Sequence, residues 1–257
     1  MTPSWHIGIV GYGNVGTHLT HVLGRGADIR ITVYRRDTKP IPTSIPNTRF
    51  TRHMEDLSGT DLIIVSVNDD SIITVIQQLK TYAGNAVVCH TAGSVSSEVM
   101  LPHFDRYGVL YPLQTFSRDK ELDYEAIPVF VTGSDRETVE IIRQVASRIS
   151  PIVYEINDEQ RMSLHIAAVF TCNYTNAFYS IGHRLCADHG LDFKYLLPLI
   201  EETARKIRYI PPAEAQTGPA IRGDEETLLK HENFLAKYDP EIRKLYHQVA
   251  LFINQKM

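Results

Sequence analysis

Three cysteines in 257 residues, none in a CxxC pair, argue against both a disulfide framework and a thiolate metal cluster. Cys89, Cys172 and Cys186 sit in apolar contexts and read as reduced, buried thiols, which fits a cytoplasmic protein. A long basic block is also lacking. The 26 basic and 30 acidic residues are interspersed, with a formal net charge of −4, which argues against a nucleic-acid or membrane-surface partner. The first residues lack the basic-then-apolar plan of a signal peptide, and no window reaches the roughly 18 uninterrupted apolar residues of a membrane span. The chain shows neither an internal repeat nor a low-complexity segment, and His183 and His189 have no Cys or carboxylate cluster at ligand spacing, so no metal is expected. What remains is a chain with 43% hydrophobic residues, long enough for one large domain or two smaller ones.

Up to about Tyr154 the sequence alternates short β-rich runs with helical patterns: WHIGIV, IRITVY, DLIIVSV, AVVCH, GVLYP, IPVFVTG and PIVYEI. Several runs are apolar without alternation, as expected of strands covered on both faces, which predicts a doubly wound, mostly parallel sheet. The Pro- and Thr-rich stretch RRDTKPIPTSIPNT reads as a connection within this half. From Asn157 the strand signal ends. Asn157 is placed to cap a helix opening with Asp158, Glu159 and Gln160, helical character runs to Gly190, Asp192 opens another helix ended by Pro211 and Pro212, and Asp239-Pro240 opens a last one. The expected fold is thus an α/β domain over 1–155 followed by an all-helical domain over 156–257.

The turn Gly11-Tyr12-Gly13-Asn14-Val15-Gly16 has the form GxGxxG, follows an apolar strand and opens a helix. A phosphate held there needs backbone N–H groups aimed at it and no side chain in the way, and the helix N-terminus adds a favourable dipole, so the turn predicts a dinucleotide site. The same pattern also suits a tight turn that only packs helix on strand. The second strand ends in Tyr34, Arg35 and Arg36, where an NAD site would carry an acidic residue; Asp37 comes two residues late. Paired guanidiniums can grip a 2′-phosphate, which favours NADP over NAD, a solvated basic turn being the other reading.

With VGYGNVG, VYRR, VSVNDDSI, CHTAGSVSSEVM, YPLQTFS and QTGPAIRGD in this order, the chain resembles a bacterial family of candidate NADP oxidoreductases, which join a Rossmann-like domain to a C-terminal helical domain of uncharacterised role. It is more distantly similar to pyrroline-5-carboxylate reductases, ketopantoate reductases and 3-hydroxyisobutyrate dehydrogenases, in which a helical second domain closes over the nicotinamide and often mediates dimerisation. The resemblance implies NADP, a small-molecule substrate and a homodimer. It puts Val67, Asn68 and Asp69 near the cofactor's adenosine ribose and pyrophosphate, and His90, Thr91, Gly93 and Ser94 near the nicotinamide. Asp70 reads as the cap of the helix SIITVIQQL, and His90 reads equally as part of a local hydrogen-bonding turn.

In the hydroxyacid-dehydrogenase relatives a catalytic Lys lies four residues before an Asn. If Asn173 is that Asn, the Lys position holds Val169. His165 is the substitute one turn earlier, since an imidazole exchanges protons near neutrality. At about 100° per residue, His165, Val169, Asn173, Asn176 and Ser180 fall within an arc of roughly 80° on an otherwise apolar helix. His165, Asn173 and Ser94 are therefore the candidate catalytic residues, with Asn176 and Arg222 on the substrate side. A satisfied core histidine is the alternative for His165, and a plain connection capped by Asp224 is the alternative for the loop holding Arg222. The expected activity is hydride transfer between the nicotinamide and a small carbonyl, imine or hydroxyacid held between the domains. Two other readings stay open: a non-catalytic NADP(H)-binding sensor or regulatory dimer, and a deazaflavin in place of an organic substrate.

Overall fold

The computed structural model of the chain describes residues 5–37, 40 and 45–256. Its contacts divide it into two compact units, 1–172 and 173–257. The first unit is built on eight strands: β1 (Trp5–Val10), β2 (Ile29–Tyr34), β3 (Thr48–Thr51), β4 (Leu62–Val65), β5 (Val87–His90), β6 (Tyr107–Pro112), β7 (Val129–Gly133) and β8 (Val153–Glu155). They form one sheet in the order β3-β2-β1-β4-β5-β6-β7-β8, parallel throughout except for the antiparallel pair β6 and β7. Strand order reverses between β1 and β4, the point where open α/β sheets hold ligands beyond their carboxyl ends.

The apolar strands are covered on both faces. Helices α1 (Asn14–Leu23) and α3 (Arg136–Ala146) bury Leu19, Leu23, Ile142 and Val145 against Ile7, Ile9, Ile31 and Ile64. On the other face α2 (Asp69–Leu79) buries Ile72, Ile76 and Leu79 against Val10, Ile63, Val65 and Val88. Alternate residues of β1 and β4 thus serve opposite cores, as the strand repeat requires. Short β3, with only Thr51 buried, carried no apolar signal and was not expected. The Pro- and Thr-rich connection lies outside the described residues at 38–39 and 41–44.

α4 (Asp158–Ala168) closes the first unit and starts as expected: the Asn157 side chain accepts from the Gln160 amide while the Gln160 side chain accepts from the Asn157 amide. By its contacts α4 groups with the sheet, and the division between the compact units falls after Cys172. Residues Val169–Tyr174 then form a wide, π-type turn leading into α5 (Thr175–Asp188). Thr171 Oγ1 donates to the Ala167 carbonyl at 3.0 Å, competing for a helical acceptor at that turn.

The second unit continues with α6 (Leu197–Lys206), short α7 (Pro212–Ala215), α8 (Glu225–Tyr238) and α9 (Pro240–Lys256). Gly190 ends the α5 region at φ 68°, and Asp224 and Asp239 cap α8 and α9. Pro211 and Pro212 do not end α6, which stops at Lys206; Pro212 instead opens α7, where its missing N–H is no loss. Asp70 is likewise not a cap. Asn68 holds the cap position of α2, and Asp70 sits inside the first turn, where its charge meets the helix dipole. Of the three thiols Cys89 alone is buried; Cys172, in the wide turn that ends the first unit, is exposed, and Cys186 of the second unit is half-buried.

Candidate functional site

The sheet register sets the site. Val10 pairs with Tyr34 and with Val65, and Val65 pairs with His90, so Gly11, Arg35, Ser66 and Thr91 begin their loops in one row along the carboxyl edge. The three glycines of the first loop are there for different reasons. Gly11 has φ +101°, and a Cβ would lie 2.3 Å from the Ser66 carbonyl oxygen. At Gly16 a Cβ would lie 2.3 Å from the Gly11 carbonyl oxygen. Both are required by the turn and by the packing of helix on strand. Gly13 is not: its φ of −81° suits any residue, and a Cβ there meets nothing within 4 Å. It sits at the N-terminus of α1, where Asn14 and Val15 begin the helix and its first N–H groups face outward. The fold itself makes no demand for glycine at this position, whereas a phosphate lying against the backbone does.

Beside this turn opens a cavity of about 440 Å³ walled by Gly11, Tyr12, Arg35, Arg36, Val67 and Thr74; Tyr34, Asp37 and Asp70 also reach it. Arg35 is buried and ion-paired with Asp37, while Arg36 is exposed on the same rim. Two guanidiniums lie over the Tyr12 ring, those of Arg35 at 5.5 Å and Arg118 at 5.4 Å, with Phe50 edge-on at 5.1 Å. Burial pushes the Tyr12 phenol up against the opposing pull of Arg118 and Arg35. Arg118 also donates to the Tyr12 carbonyl, inside the glycine turn. His18 of α1 ties down the same segment, its Nε2 donating to the Ser117 carbonyl at 2.9 Å and its Nδ1 meeting the Tyr124 hydroxyl at 2.8 Å. Sequence reading missed Arg118, because nothing local to it announces a neighbour more than 100 residues earlier.

At the end of β5, His90 is fully buried, so its side chain is not available to a ligand. Its Nδ1 accepts from the Ala92 amide at 3.2 Å and its Nε2 donates to the Ser96 carbonyl at 3.4 Å, which makes it the local hydrogen-bonding turn and corrects the expectation of cofactor contact. Burial, then the Arg161 charge, lowers its pKa to about 4, so the ring is neutral at pH 7. Thr91 and Ser94 are partly exposed, and the Ser94 hydroxyl donates to the Asp69 carboxylate. Asn68, at the cap of α2, and Asp69, its first residue, are exposed.

His165 stands directly over this segment. A Cβ at Gly93 would come within 2.4 Å of its Nδ1, so Gly93 is the space that the imidazole fills. The Tyr111 hydroxyl, at the end of β6, lies 3.1 Å from the same nitrogen. Tyr111 is buried, which pushes its phenol up against the pull of Arg161 and keeps it protonated at neutral pH. A phenol donating to Nδ1 leaves the proton of a neutral imidazole on Nε2. His165 itself remains partly accessible.

What holds α4 here is a polar anchor that the sequence reading did not single out. Arg161, 1% exposed, pairs with Asp158 at 2.6 Å and donates to the Val95 carbonyl. Asp158 in turn accepts from the Ser96 hydroxyl at 2.6 Å and the Ser97 amide at 2.7 Å. Burial alone would raise the Asp158 carboxyl, but Ser96, Arg161 and Ser97 outweigh it and hold it below its ordinary value. The available clue was Arg161 three residues after Asp158, the spacing of a helical ion pair.

Asn173, Asn176 and Arg222 are exposed residues of the second unit. The stripe linking His165 to Asn173 and Asn176 counted a uniform α-helical step, and the wide turn at Val169–Tyr174 breaks that step, so the count does not hold. Among the described residues no three His, Cys, Asp or Glu side chains are grouped to hold a metal ion, and no helix is long and apolar enough to cross a membrane.

A Rossmann-like sheet followed by a helical second unit defines the class, and comparison narrows it to a family. Residues 1–114 match a Rossmann-like domain, and residues 127–253 match the domain of unknown function DUF2520. The solved structure of a candidate NADP oxidoreductase from Bacteroides fragilis is 36% identical, with 98% of this chain and 99% of that one covered and a TM-score of 0.89. The chain belongs to this family of Rossmann-like proteins carrying DUF2520. A Thermotoga maritima protein is similar at 22% identity, covering 97% of each chain, with a TM-score of 0.70. The pyrroline carboxylate reductase of Plasmodium falciparum, solved with NADP bound, is 13% identical over 99% of this chain and all of that one, with a TM-score of 0.61, and shares the fold. No curated protein matches the sequence.

Proposed function

We propose that this protein is an NADP-dependent oxidoreductase acting on a small carbonyl, imine or hydroxyacid. One observation carries the cofactor: Gly13, glycine at an open position of ordinary backbone where only a ligand needs the side chain absent. The Bacteroides fragilis relative, described as a candidate NADP oxidoreductase, supports the same cofactor. The nicotinamide, when bound, would supply the hydride as NADPH or accept it as NADP+. The first N–H groups of α1, with Arg118 across the turn, take the pyrophosphate; Arg35 and Arg36 take the ribose end, with Val67 and Tyr34 at the cavity wall.

His165 serves as the proton donor. As the imidazolium, with Nδ1–H donated to the Tyr111 oxygen, it passes its Nε2 proton to the substrate oxygen or nitrogen, leaving a neutral imidazole that regains the proton from solvent. Ser94, fixed by Asp69, orients the substrate. Gly13→Val tests the cofactor assignment. NADPH binding by calorimetry should fall at least about 100-fold while the melting temperature stays within about 2 °C, because the new side chain meets only ligand. A variant that binds NADPH like the parent chain would refute it.

A further inference from the structure

Arg35 ends β2 and is one of two guanidiniums facing the 440 Å³ cavity beside the glycine turn. It is already engaged. Its guanidinium is ion-paired with the Asp37 carboxylate and lies over the Tyr12 ring, and only 7% of its side chain is exposed. Asp37, at 45% exposure, stands on the wall of the same cavity. The pair brings a carboxylate back to the strand end, two residues after the position where it was missed in the sequence.

We infer that Asp37 is a specificity-determining residue: its carboxylate competes with a ligand 2′-phosphate for Arg35, narrowing the preference for NADPH over NADH. The inference rests on the dinucleotide reading above. A phosphate drawn to Arg35 must displace a carboxylate that already holds the guanidinium and must also approach its negative charge. A ribose bearing a free 2′-hydroxyl meets no such obstacle, since a hydroxyl donates to a carboxylate, the partner that ribose hydroxyls take in this fold. With Arg36 on the rim, the strand end carries two positive charges and one negative charge, a field that attracts phosphate without rejecting the diol.

The experiment measures dissociation constants of NADPH, NADH, 2′,5′-ADP and 5′-AMP for the full chain and for Asp37→Asn at low salt. NADPH and 2′,5′-ADP should bind about tenfold more tightly to Asp37→Asn, whereas NADH and 5′-AMP should bind equally or more weakly. Asp37→Ser should move the constants in the same direction. In an Arg35→Gln background the gain should disappear, because nothing is left to compete for. Unchanged or weaker NADPH binding in both Asp37 variants overturns the inference while leaving the dinucleotide reading intact. Failure of the parent chain to bind any of the four ligands removes that reading, and the inference falls with it.

Discussion

A missing methyl group and a fixed nitrogen define the centre of this site. Gly93→Ala would drive a methyl group into His165, so the ring must leave Tyr111; loss of the downfield Tyr111 hydroxyl proton by NMR, with folding retained, is the expected result. His165→Ala should leave NADPH affinity nearly unchanged and lower turnover by roughly 10²- to 10⁴-fold, the range for a general acid. It also strips a partner from the buried Tyr111 hydroxyl, at about 1 to 3 kcal/mol. Tyr111→Phe in the same chain separates the two effects: it should recover stability and not turnover. If NADPH binds and neither variant alters turnover, His165 is a core residue, and the sensor reading gains.

His90 sets a pH limit. Its folded pKa of about 4 lies below its ordinary 6.5, so unfolding releases a ring that takes up a proton. This contribution to stability is complete above pH 6.5 and is lost as the pH falls toward 4, amounting to about 3 kcal/mol over that interval. Urea unfolding at stepped pH should show that slope, and His90→Asn, which keeps an acceptor for the Ala92 amide, should flatten it.

Among the elements, α4 depends most on a single pair. Arg161→Met leaves the Val95 carbonyl and one flank of the half-buried Asp158 without a partner, and should cost about 1 to 3 kcal/mol in denaturant unfolding. Elements whose signals are local were legible in the sequence: the apolar strands, the glycine turn, and the caps at Asn157, Asp224 and Asp239. Features decided by distant partners were not. β3 exists because β2 offers it an edge, β7 runs antiparallel because of how it returns to β6, and the wide turn at 169–174 leaves no mark in a hydrophobic pattern. The same contrast holds within the site. The close approaches at Gly11 and Gly16 follow from spacing, whereas Tyr111 and Arg118 gain their contacts only from partners 54 and 106 residues away, and the choice at His90 between cofactor contact and a local turn rests on a burial that no local pattern announces.

For the molecule entire, the imbalance between its units is the main consequence. The first unit has two packed cores, but among the described residues of the second only Ala220 and Leu235 are buried hydrophobics, while Phe178, Leu199, Leu229, Phe234, Leu251 and Phe252 are exposed. Helices of this length are held by burial of an apolar face, which this unit does not accomplish alone. Pairing with a second copy is the expected solution. Sedimentation at micromolar concentration should show a dimer, and Phe178→Glu combined with Phe252→Glu should give a monomer or an unfolded second unit. A parent chain that sediments as a monomer would contradict this.

The open space at Gly13 has a use in living cells. Most substitutions that abolish a protein's activity also lower its abundance, and the resulting phenotype confuses the two losses. Because a Cβ at Gly13 touches nothing in the chain, an allele encoding valine there should accumulate to the normal level while lacking the cofactor. Any growth defect it shares with a gene deletion then belongs to the chemistry, and any defect found only in the deletion belongs to the protein as a body that others bind.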